Sequence, residues 1–137
     1  MRSLPVVLLI PLALTLNNCA GTKPAPSTNN EAYTAERLVD ELPAGVEGVE
    51  LAKEGLRPKK GYSFVKDSDS TFAVMRMSDG SKAGGSHCEC WVGVGCVPDL
   101  DSPIVTCKAL PVGCIQCHLV LTYGDIRTEV FQYTKKE

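Results

Sequence analysis

Residues 87–118 read HCECWVGVGCVPDLDSPIVTCKALPVGCIQCH. This stretch holds six of the chain's seven cysteines, Cys88, Cys90, Cys96, Cys107, Cys114 and Cys117, together with both histidines, His87 and His118. Cys88 and Cys90 lie two apart in a segment, Cys88–Val92, that reads as a strand, so their side chains share a face. Neighbours of that kind do not readily bridge each other, because a disulfide needs facing Cβ atoms about 3.8 Å apart. Each is therefore expected to reach a different strand or loop. Six cysteines allow 15 pairings, and sequence alone selects none of them. Three bridges at about 2–4 kcal/mol apiece would help a domain with only three Phe, four Tyr and one Trp.

Around this segment the apolar pattern has period two. Tyr62–Val65 and Thr71–Met77 flank the polar stretch Lys66–Ser70, which reads as a hairpin with a longer loop. Asp79-Gly80 and Gly84-Gly85 are expected to break the chain. Further strands are expected at Ile104–Cys107, Cys117–Tyr123 and Thr128–Tyr133, with Gly124-Asp125 turning the chain between the last two. The fold class is mainly β: a small antiparallel sheet or sandwich stapled by disulfides. Ahead of it, Leu38 and Leu42 at i,i+4 predict one short helix over Tyr33–Leu42, ended by Pro43. Residues 32–60 thus read as a short helical or irregular segment and 61–137 as the cysteine-rich β domain.

The seventh cysteine stands far from the others. A single charge, Arg2, precedes the apolar run LPVVLLIPLALTL, residues 4–16. Its thirteen residues fall short of the roughly 20 that span a bilayer as a helix. A basic start, a short apolar core and a polar break are the marks of an export signal over residues 1–18. The run closes Leu16-Asn17-Asn18-Cys19-Ala20. This resembles the lipobox of bacterial lipoproteins, in which a leucine lies three residues before an invariant cysteine. The family prefers small residues where this chain has Asn17 and Asn18. The resemblance implies cleavage before Cys19 and lipid attachment to it. Several acyl chains would then hold the protein stably at a membrane, since each buried methylene contributes about 0.8 kcal/mol. With Ala20 after the cysteine and no aspartate retention signal, the resemblance implies a cell-envelope location, in the outer membrane if the cell is Gram-negative. Ala20–Asn30, AGTKPAPSTNN, has no large apolar residue and reads, within residues 19–31, as a disordered tether.

Two other chemistries are encoded near the cysteines. Cys114-Ile115-Gln116-Cys117-His118 matches C-x-x-C-H and is similar to the attachment site of c-type cytochromes. That resemblance implies a small electron carrier with haem c bound through Cys114 and Cys117, and His118 as proximal ligand. A sixth ligand would come from His87, Met75, Met77 or solvent. His87-Cys88-x-Cys90 with Cys114-x-x-Cys117-His118 would instead offer a mixed Cys/His zinc site. C-x-C is tighter than the usual knuckle, Cys96 and Cys107 are left over, and an oxidising compartment competes for the thiols. No resident cofactor or metal is expected on the disulfide reading. A thioredoxin-like role for Cys114 and Cys117 lacks the βαβ setting and any residue between them to depress a thiol pKa.

Composition sets the outer bounds. A 137-residue chain suggests one domain. With 44% hydrophobic and 22% charged residues, it is neither wholly disordered nor a polytopic membrane protein. A net charge of −2, or −3 without Arg2, argues against a nucleic-acid binder working through a basic face. No Walker A loop, G-x-S-x-G, H-E-x-x-H or G-x-G-x-x-G occurs. Gly93-Val94-Gly95 reads as a turn before Cys96, His87 as a surface residue at a strand start, Asp99 and Asp101 as a solvated loop, and Trp91 as a cover for a disulfide. No catalytic residue stands out. The chain reads as an anchored structural or interaction protein of the envelope rather than an enzyme, with a membrane and an unidentified envelope protein as partners.

Overall fold

A computed structural model describes residues 33–110 and 113–136. The signal, Cys19 and the tether lie outside the described residues. Ten strands follow in order: β1 Tyr33–Arg37, β2 Val49–Leu51, β3 Leu56–Pro58, β4 Tyr62–Lys66, β5 Thr71–Arg76, β6 Lys82–Val92, β7 Cys96–Asp99, β8 Thr106–Ala109, β9 Gln116–Tyr123 and β10 Ile126–Lys135. Six form one antiparallel sheet in the order β1-β10-β9-β6-β5-β4, while β2–β3 and β7–β8 are separate two-stranded ribbons. The architecture is mainly β and antiparallel, and no helix occurs among the described residues.

The period-two segments fold as the pattern dictates. Register puts Phe72, Ser86, Leu121, Cys88, Leu119, Phe131, Cys117 and Tyr133 on one face of the sheet, paired across neighbouring strands. That face is buried against the ribbons, whose Val49 and Leu56 are also buried, as is Val105 just before β8. Leu56 and Val105 bridge one ribbon to the other through paired backbone bonds of 3.0 and 2.7 Å. Two tyrosines fasten the sheet to the β2–β3 region: Tyr123 Oη donates to the Glu47 carbonyl at 2.8 Å and Tyr133 Oη to the Glu54 carbonyl at 2.7 Å. Burial raises the pKa of both phenols, so they stay protonated donors. A two-stranded ribbon is marginal alone, so these ties and the disulfides decide whether the ribbons hold their place.

Four expectations are corrected. The helix over Tyr33–Leu42 is not formed: Tyr33–Arg37 is strand β1, paired with β10 from Tyr33↔Lys135 to Arg37↔Phe131. The edge of β10 offers unpaired backbone groups, and Tyr33 and Ala35 pack on the core at strand spacing, whereas Leu38 is 37% exposed. Residues 33–58 thus belong to the same folded unit as the rest. Gly84-Gly85 does not break the chain; both lie inside β6, because the Tyr123 ring rests on Gly84 where a Cβ would overlap it. The strand expected at Ile104–Cys107 is displaced to Thr106–Ala109. Asp99 is buried in β7, not solvated, and its carboxylate accepts the Asp101 N–H at 3.2 Å.

Candidate functional site

All six cysteines of the described residues are paired. The bridges are Cys88–Cys107, Cys90–Cys114 and Cys96–Cys117, with Cα separations of 5.8, 5.9 and 5.9 Å. The first cysteine joins the fourth, the second the fifth and the third the sixth, so the loops interleave. Cys88 and Cys90 do reach different places, β8 and the segment before β9. Together the bridges strap the β7–β8 ribbon onto the core face of β6 and β9. The second and third bridges touch, with Cys96 Sγ 3.1 Å from Cys114 Sγ.

The residues do not fit a covalent haem. Both sulfurs that thioethers would use, on Cys114 and Cys117, are bonded to Cys90 and Cys96. The Sγ atoms of Cys90, Cys96 and Cys114 lie within 4.8 Å of one another, yet each is in a disulfide and offers no thiolate to zinc. A mixed Cys/His tetrahedron also meets a geometric bar. Alternation sends Cys88, Cys90 and Cys117 to the core face, and His87 and His118 to the opposite one.

That opposite face carries a lattice of polar side chains. His87 Nε2 lies 2.7 Å from Glu89 Oε1, and Arg127 donates to both Glu89 oxygens at 2.7 and 2.8 Å. Arg127 also reaches Glu129 at 3.7 Å. The Glu129 carboxylate stands 3.4 Å from His118 Nδ1, while His118 Nε2 meets Gln116 Oε1 at 3.1 Å. The Arg127 guanidinium, then His87, hold the Glu89 carboxyl below the usual carboxylate range. His118 is only 4% exposed, because Trp91 stacks on it with ring centroids 4.3 Å apart and planes 14° from parallel.

Trp91 therefore covers a histidine rather than a disulfide, and remains 58% exposed itself. The cause is a register shift between Cys90 and Val92, which makes Trp91 the extra residue of a β-bulge and re-aims its side chain. His87 sits in mid-strand, half-buried in this lattice, not at a strand start. One ring face of His118 lies under Trp91, and both of its ring nitrogens have side-chain partners, Glu129 and Gln116. The lattice ties β6 to β10 through Glu89 and Arg127, and β9 to β10 through His118 and Glu129.

Comparison with family models, curated proteins and solved structures returns no match.

A groove of about 430 Å³ runs beside Lys66, Asp69, Pro98, Asp99, Asp101 and Lys108. It gathers charges of both signs, and Asp99 among them is buried. No helix among the described residues is long and apolar enough to cross a membrane. Sequence reasoning missed the lattice: nothing in a linear pattern reveals that Arg127, Glu129, Glu89 and both histidines share a face until the register of β6, β9 and β10 is known.

Proposed function

We propose that this chain is an exported lipoprotein of the cell envelope. Its anchor is lipid on Cys19, and its working part is a disulfide-stapled β domain with a structural or interaction role. The observation that carries the reading is the division of the cysteines. Six are paired among themselves, and the seventh, Cys19, stands three residues after Leu16 at the close of an apolar run. Disulfides persist in exported proteins and are rare in reducing compartments, which supports export. The ion pairs that join Arg127 to Glu89 and Glu129 across this face support a structural or interaction role. If the cell is Gram-negative, Ala20 favours the outer membrane.

Metabolic labelling with palmitate tests the anchor. The expected result is label in the wild-type chain, none in Cys19→Ser, and release of Cys19→Ser from the membrane fraction. An unlabelled wild-type chain, or label that persists in Cys19→Ser, overturns the proposal.

A further inference from the structure

Five of the eight large hydrophobic side chains exposed among the described residues are Trp91, Val92, Val94, Leu110 and Ile115. Trp91 and Val92 end β6, Val94 lies in the loop after it, and Leu110 and Ile115 lie between β8 and β9. Ile115 N donates to the Val92 carbonyl at 2.9 Å and Leu110 N to the Gly95 carbonyl at 2.7 Å, holding the two segments against each other. Gly93, at φ +103°, turns the first loop where a Cβ would press on the Gly113 carbonyl, and leaves Val94 68% exposed at its tip. Single exposed apolar residues are ordinary, but a contiguous apolar tip marks a surface that meets something.

Register says which end of the sheet this is. Val92 pairs with Gln116, Gln116 with Thr134, and Thr134 with Thr34. Lys135 N also donates to the Ile115 carbonyl at 2.9 Å. The apolar tip and Tyr33, where the described chain begins, therefore lie at the same end of the sheet. Between Cys19 and Tyr33 stand only residues 20–32, a span of at most about 50 Å fully extended. With lipid on Cys19, a tether that joins the domain at its apolar end keeps that end within about 50 Å of the bilayer.

We infer that Trp91, Val92, Val94, Leu110 and Ile115 form a second membrane contact, seated in the interfacial layer of the bilayer that holds the lipid anchor. The occupant is a lipid surface. The residues are suited to it: tryptophan favours the membrane–water interface, and apolar tips seat about 5–10 Å into the headgroup boundary. The inference rests on the lipoprotein reading. It adds that the domain is docked and oriented, with the β4–β5 side of the sheet leading away from the anchored edge strand β1.

Trp91 is the chain's only tryptophan, so its emission reports the contact without a label. The full lipidated protein, purified from its membrane, is reconstituted into phosphatidylcholine vesicles with and without brominated acyl chains. Palmitate on Cys19 is scored in the same preparation. The expected result is labelled protein whose emission is blue-shifted and loses most of its intensity in bromolipid. Val94→Asp and Ile115→Asp are each expected to abolish that loss. Met77→Asp, an equally exposed apolar site away from the tip, is expected to leave it intact. Labelled protein with emission indifferent to bromolipid overturns the docking and leaves the anchor standing, including the case in which sedimentation shows the tip covered by a second copy. Unlabelled protein overturns the anchor and this inference with it.

Discussion

Removing the Cys88–Cys107 bridge by a Cys88→Ala, Cys107→Ala double substitution tests how the interleaved bridges share their work. A bridge closing a separation of 19 residues would contribute about 3.3 kcal/mol by the chain-entropy relation if it stood alone. It does not stand alone. With Cys90–Cys114 intact, a shorter circuit already links its ends: two residues from Cys88 to Cys90, across that bridge, and seven from Cys114 back to Cys107. A circuit of about ten residues lowers the entropic contribution to about 2.7 kcal/mol. Both cysteines are buried, and the small void left by their sulfurs adds about 1 kcal/mol. The expected loss is therefore about 3–4 kcal/mol, or a fall in Tm of roughly 15 °C. Thermal and urea unfolding of both proteins measure it, with non-reducing mass mapping to show that the other two bridges keep their partners. A Tm within about 4 °C of wild type, corresponding to about 1 kcal/mol or less, would refute the strapping role assigned to this bridge.

Other perturbations probe the remaining contacts. Gly84→Ala is expected to cost about 1–3 kcal/mol in urea unfolding, because the new Cβ overlaps the Tyr123 ring; an unchanged midpoint would place that ring elsewhere. Tyr133→Phe removes the bond to the Glu54 carbonyl and is expected to cost about 1 kcal/mol, read by the same unfolding curves. Arg127→Ala tests the polar lattice through pH. Glu89 has its pKa depressed in the fold, so its ion pairing stabilises above the ordinary glutamate pKa of about 4.3 and fades as pH falls through the lower folded value. The variant should be less stable than wild type at pH 7, and the gap should close on acidification toward pH 3. A gap that persists there would assign the effect to packing instead.

Much of the sheet was legible because half-buried strands write period two into the chain. Tyr62–Lys66, Thr71–Arg76 and the hairpin of Gln116–Tyr123 with Ile126–Lys135 all carried that signature, and Gly124-Asp125 marked the turn. What failed depended on distant partners. Tyr33–Arg37 is a strand because β10 has an edge to fill, and the Leu38/Leu42 spacing cannot see that edge. Gly84-Gly85 punctuates nothing, because the missing side chain of Gly84 makes room for a tyrosine nearly forty residues away. Three-residue β2 and β3 are too short to show any period. The cysteine framework was expected, but its connectivity required the β7–β8 ribbon to be placed. The stacking of Trp91 on His118 required a bulge that no spacing encodes.

In the proposed protein one cysteine carries lipid while the other six close three bridges. Non-reducing mass mapping of the protein extracted from its own membrane tests it most directly. The expected result is an acylated peptide that begins at Cys19, no free thiol, and the pairs Cys88–Cys107, Cys90–Cys114 and Cys96–Cys117. An unmodified Cys19, or Cys114 and Cys117 bearing a thioether adduct in place of disulfides, would contradict it.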